Sequence, residues 1–147
     1  MSMKSCLPAL AMLTLCACAA SSPTAPSPLA GPLAGTWNGT LERAGASATL
    51  RLELTDEPFG AGSVVNGNYA VTGGEDPSAG TVGGITLNGV ASLTLKPSSP
   101  PLCGTAPFVV PVGDIVLTLT PAGRQMAGSG VIVQCGAAVA VTVTLAK

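Results

Sequence analysis

The chain has no histidine, and only 3% of its 147 residues are aromatic and 9% charged. A soluble domain is ordinarily about 25% charged. Without an imidazole, neither a Ser-His-Asp nor a Cys-His grouping can be assembled. Six Lys and Arg stand against seven Asp and Glu, and no basic cluster exists among them. Nucleic acid is therefore disfavoured, since phosphate binding needs gathered cations. No apolar run reaches the roughly 18 residues of a spanning helix, and no helical periodicity extends past the N-terminal segment.

Other catalytic and ligand signatures are missing too. Asp56-Glu57 and Glu75-Asp76 are neighbours beside Pro58 and Pro77. A glycosidase needs two carboxylates facing each other across a bond, about 5–9 Å apart. Adjacent acids in a turn-like context read as solvated loop residues, and no EF-hand spacing surrounds them. Gly83-Gly84 and Gly128-Ser129-Gly130 are followed by neither a helical pattern nor a lysine, so no phosphate cradle is indicated. The reading is of a protein that is not an enzyme, with no catalytic residue, metal ligand or cofactor.

What is present begins at the N-terminus. Met1 to Ser5 carries Lys4, and Cys6 to Leu15 is an apolar run of ten, interrupted by Pro8. That length suits a signal-peptide core. The next residues, Leu15-Cys16-Ala17-Cys18, resemble a bacterial lipobox: an aliphatic three places before a cysteine, with small residues between. The resemblance implies a signal peptide over 1–17 and lipidation of Cys18, whose thiol forms the thioether to diacylglycerol. Ordinary secretory cleavage after Ala20 is the alternative. The lipobox also implies a lipid-anchored protein of the cell envelope. Ala19 in place of Asp resembles the outer-membrane sorting pattern, on the periplasmic or surface face, if the source has two membranes. From 18 to 33 the chain holds Pro23, Pro26, Pro28 and Pro32 among Ser, Thr and Ala. This composition predicts an extended tether reaching about 40 Å.

Cys6 and Cys16 would leave with the leader and Cys18 would be capped by lipid. Cys103 and Cys135 then remain as a pair in an oxidising compartment, which predicts a disulfide. Closing that loop is worth about 3–4 kcal/mol in the chain-entropy model. Two free thiols are the alternative, and a zinc site is not, since two cysteines without histidine are too few ligands.

Residues 34–147 read as a β domain. Leu50, Leu52 and Leu54 alternate with Thr49, Arg51, Glu53 and Thr55, one dry face and one wet. Ile115, Leu117 and Leu119 repeat this, as do Val139, Val141, Val143 and Leu145. Trp37, Gly39 and Leu41 open the series. Strands near 64–72, 80–87, 90–96 and 124–134 bring the total to eight. In Val65-Asn66-Gly67 and Met126-Ala127-Gly128 a glycine follows an apolar residue by two, a sign of a bend or close backbone approach. Asn88-Gly89 signals a two-residue hairpin. Strict pairing about it would put Ile85 and Leu87 on the face opposite to Leu93 and Leu95, so a bulge near Gly83-Gly84 or a longer loop is expected. Residues 97–111, with five prolines and Cys103, form the longest loop, pinned by Cys135.

Eight short antiparallel strands predict an all-β, up-and-down barrel, with a β-sandwich as the competing architecture. Gly35-Thr36-Trp37 at the first strand resembles the Gly-x-Trp of the calycins, the lipocalin and avidin group. The chain departs from that group in lacking a Thr-Asp-Tyr, an arginine on the last strand to cover the tryptophan, and the further tryptophans that grip biotin. A membrane-spanning barrel fits less well, because its outer face must be apolar, whereas the alternate positions here are mostly Thr, Ser, Asn, Arg and Glu.

Trp37 reads first as the plug of one barrel end and second as a ligand contact, with Tyr69 lining the same interior. A barrel of eight strands is either filled or holds one small ligand, and the small inward set leaves both open. The functional expectation is a monomeric, non-enzymatic envelope lipoprotein attached to the membrane through its N-terminal lipid. The alternatives are a carrier of a small lipophilic ligand, or an inhibitor or docking module for another envelope protein acting through its loops.

Overall fold

The computed structural model describes residues 31–74, 77–99 and 113–147. Eight strands follow in chain order: β1 (Gly35–Arg43), β2 (Ala46–Phe59), β3 (Gly62–Thr72), β4 (Ser78–Leu87), β5 (Val90–Pro97), β6 (Asp114–Ala122), β7 (Gln125–Gln134) and β8 (Ala137–Ala146). Each pairs antiparallel with the next, and β8 returns to β1 from Asn38↔Ala146 to Glu42↔Thr142. The sheet is therefore a closed up-and-down barrel of the small calycin-like kind. Closure leaves no unpaired edge and rules out the sandwich.

Period-2 burial builds the interior. Leu50, Leu52 and Leu54 on β2, Ile115, Leu117 and Leu119 on β6, and Val141, Val143 and Leu145 on β8 are all buried, while the residues between them face solvent. The inward face is aliphatic and the outward face is largely Thr, Asn, Arg and Glu, the reverse of a membrane barrel. Glycines let neighbouring strands approach closely. A Cβ at Gly67 would run into the backbone carbonyl of Glu53, and one at Gly128 into that of Thr118. Each faces a leucine of the preceding strand, Gly67↔Leu54 and Gly128↔Leu119, so the two similar hairpins use glycine in the same way.

The β4–β5 hairpin corrects the expected slip. There is no bulge at Gly83-Gly84: pairing runs unbroken from Gly80↔Pro97 to Leu87↔Val90. Asn88 and Gly89 form a two-residue turn with φ of 52° and 76°, the left-handed pair that a type I′ turn requires. The register it imposes sends Ile85 and Leu87 outward and leaves Gly84 facing in, opposite Leu93. A Cβ at Gly84 would strike the Leu93 side chain and the Ser92 carbonyl. Leu93 thus fills the volume that Ile85 would have taken, and turn geometry overrides the burial of two aliphatics.

The up-and-down order sorts the connections onto two rims. Gly60-Ala61, Asn88-Gly89, Gly123-Arg124, the segment preceding β1 and the end of β8 lie at one rim, referred to below as the closed rim. Ala44-Gly45, Cys135-Gly136, the ends of β3 and β5 and the starts of β4 and β6 lie at the far rim.

Candidate functional site

The closed rim is sealed by the residues that precede β1. The Gly31 N–H donates to the Asp56 backbone carbonyl (2.8 Å), and the Ala34 N–H turns back to the Gly31 carbonyl (3.1 Å). This turn drops Leu33 into the barrel mouth, where it is fully buried. Residues 31–33, expected to belong to the tether, are thus part of the folded body. At the end of the expected tether, polar backbone and one leucine find partners on the barrel.

Asp56 holds the plug. It lies within β2 rather than in a loop, and parity with Leu50, Leu52 and Leu54 turns its side chain inward, where it is buried. Its Oδ2 accepts the Leu33 N–H at 2.8 Å, while Oδ1 is buried with no hydrogen-bond partner among the described residues. The solvated-loop reading of Asp56-Glu57 is therefore wrong for Asp56. Leaving the buried Leu33 N–H unpaired would cost about 1–3 kcal/mol, enough to hold a short turn in place.

Trp37 sits directly against this plug. It is fully buried, and its Nε1–H donates to the Leu33 carbonyl at 2.8 Å. From outside, the Lys147 ammonium stands 5.2 Å from the indole centroid, within range of a cation–π contact. Lys147 also donates to the Pro32 carbonyl (3.3 Å), and its own carbonyl accepts from Arg124 Nε and Nη2 (3.2 and 2.7 Å). The sequence shows no arginine on the last strand to cover the tryptophan. A lysine one residue beyond β8 covers it instead.

Tyr69 faces the same interior, and the register sets it and Trp37 on either side of Leu52. It points inward and is buried, but its hydroxyl is hydrogen-bonded to Ser78 Oγ (2.8 Å), at the start of β4 and hence toward the far rim. Burial raises its pKa above the usual phenol range, the Ser78 bond partly offsets this, and the negative charge of Asp114 adds to the rise. The indole N–H and the phenol hydroxyl bond to different elements, Leu33 before β1 and Ser78 on β4.

Three surface recesses are bounded by described residues. One of about 350 Å³ lies at the closed rim among Pro32, Leu33, Ala61 and Leu87. One of about 590 Å³ lies beneath the Ala44-Gly45 turn, and one of about 610 Å³ lies around Asn66, Gly83 and Lys96. None of these three has Trp37 or Tyr69 in its wall.

Cys18 and Cys103 lie outside the described residues. Cys135 stands at the tip of the β7–β8 turn with φ of 49°, a conformation that favours glycine or asparagine. It is not a free thiol. No three His, Cys, Asp or Glu side chains converge among the described residues. No protein-family model, curated protein or solved structure matches the chain.

Proposed function

We propose that the protein is a non-enzymatic envelope lipoprotein: a filled β-barrel held to a membrane through Cys18, working through its outer surface rather than its interior. The observation that carries the surface half is the sealed mouth. Leu33 and Trp37 are fully buried there and the indole N–H is spent on Leu33, so a ligand would have to displace both to use that end. This weighs against the carrier reading. The anchor half rests on Leu15-Cys16-Ala17-Cys18, which supplies the spacing and the thiol that lipidation needs.

A Cys103–Cys135 disulfide belongs to the same reading. β6 begins at Asp114, which pairs with Val133, two residues before Cys135. The end of β5 and the start of β6, between which Cys103 falls in sequence, lie at the rim where Cys135 sits, which supports this reading. Such a bond would pin the segment between β5 and β6 over the far rim in an oxidising compartment.

Metabolic labelling with an alkyne fatty acid tests the anchor. Wild type should incorporate the probe and Cys18→Ser should not. Equal incorporation would refute the assignment.

A further inference from the structure

Outward apolar side chains gather on four adjacent strands at the closed rim. The register sets Phe59, Gly62, Leu87 and Val90 in one row, and Glu57, Val64, Ile85 and Ser92 in the next. Phe59 is 77% exposed, Ile85 53% and Leu87 49%, and Val64 and Val90 are each exposed by more than a third. The wall then turns polar: Thr55, Asn66 and Thr94 form the third row with Gly83, and Glu53, Asn68, Thr81 and Lys96 form the fourth. Two residues of strand advance about 6.7 Å, so with its turns the apolar band is roughly 7–10 Å deep. That is the depth to which an interfacial protein surface enters the boundary between headgroups and acyl chains, about 5–10 Å.

We infer that this rim rests in the surface of the bilayer that carries the Cys18 anchor. The inference depends on the lipoprotein reading for the anchor and adds the orientation of the barrel. The path of the chain supports it. Gly31 is bonded to Asp56, three residues before Phe59, so the polypeptide leading from Cys18 reaches the barrel at the band itself. Thirteen residue steps separate Cys18 from Gly31, a maximum reach of roughly 45 Å. An anchored barrel therefore never moves far from lipid. A contact of five side chains, weak for a free protein, becomes intramolecular and suffices to orient a tethered one.

The surroundings of the band agree. The recess among Pro32, Leu33, Ala61 and Leu87 continues it toward the barrel mouth. Arg124 and Lys147 lie at the same rim, suited to anionic headgroups, and Glu57 is an exposed acid in the second row of the band. The other exposed aliphatics, Val116, Val131 and Val133, lie on β6 and β7, and Val133 sits beside the far-rim turn, away from Gly31.

The test uses full-length chain purified from membranes, its acylation established by intact mass. It is reconstituted in phosphatidylethanolamine–phosphatidylglycerol vesicles with plain or brominated acyl chains. Phe59→Trp places an indole at an already exposed turn position, and Val133→Trp places one near the far rim; Trp37 is common to both and to wild type. The emission added by Phe59→Trp should be quenched in brominated vesicles relative to plain ones, while that added by Val133→Trp should be equal in both. An acylated protein whose Phe59→Trp emission ignores bromine overturns the inference and leaves the anchor standing. Emission that is blue-shifted yet insensitive to bromine would assign the band to a second copy of the chain and likewise overturn it. An unmodified mass removes the anchor and the inference together.

Discussion

Truncating Trp37 to alanine should cost the barrel about 3–5 kcal/mol, the range for deleting a large aromatic from a packed site. Three features place it there. The indole is fully buried, its N–H is the donor to the Leu33 carbonyl, and its face carries the Lys147 ammonium. Alanine would leave a void beneath the plug and a buried carbonyl without its donor. Domains of this size are stable by about 5–15 kcal/mol, so the loss is a large fraction of the whole. Trp37→Phe separates the contributions. It keeps a ring for Lys147 and most of the volume but gives up the N–H, at about 1–3 kcal/mol for the unsatisfied acceptor. The assay is urea unfolding followed by far-UV circular dichroism, because Trp37 is the sole tryptophan and its fluorescence is lost in both variants. With a slope of about 2 kcal/mol/M, the midpoint should fall by roughly 1.5–2.5 M for alanine and clearly less for phenylalanine. An unchanged midpoint for Trp37→Ala, or equal losses for the two variants, would refute the plug.

Asp56→Ala strands the Leu33 N–H inside the barrel mouth and should cost about 1–3 kcal/mol, whereas Asp56→Asn, which retains an oxygen acceptor, should cost less; the two urea midpoints decide this. Tyr69 gives an alkaline effect of known sign. Its folded pKa is raised, so above about pH 10 the unfolded chain loses the phenol proton while the native state keeps it. Its contribution is therefore constant below that pH, and stability falls as pH rises past it. Tyr69→Phe should flatten the fall, and since the chain has one tyrosine, phenolate absorbance follows this group alone. Non-reducing peptide mapping should find Cys103 joined to Cys135, and quantitative alkylation of both without reductant would disprove the bond.

The strand order and the closed barrel were legible because the aliphatic face repeats at period two. Leu50, Leu52 and Leu54 could hardly be buried together in any other backbone. The turn at Asn88-Gly89 was legible too, but its consequence was resisted. Reading burial as decisive made Ile85 and Leu87 want the core, whereas the turn fixes parity and Leu93 already occupies the space over Gly84. Hydrophobicity alone cannot reveal that a position is already filled from the next strand.

The sealed rim was only half legible. Trp37 as a plug followed from its place at the first strand and its being the lone tryptophan. Its partners did not follow. Leu33 lies in a Pro-rich stretch whose composition resembles a linker, and Asp56 is disguised by its neighbours Glu57 and Pro58. The signal for Asp56 was its parity with Leu54, which marks an inward acid. Lys147 is not visible to a pattern confined to the last strand, because it lies one residue past it. Asp56 to Leu33 and Lys147 to Trp37 join segments distant in sequence and are invisible to local pattern, whereas the Leu33–Trp37 bond spans only four residues and is masked by composition.

Comparison of native and denatured masses of the protein purified from membranes tests the central claim most directly. The expected denatured mass is that of a polypeptide beginning at an acylated Cys18, lighter by the two hydrogens of one disulfide. The native mass should exceed it by no stoichiometric small molecule, as the proposed surface role requires. A lipophilic molecule bound one to one and released on unfolding would contradict the filled barrel, and an unacylated N-terminus would contradict the anchor.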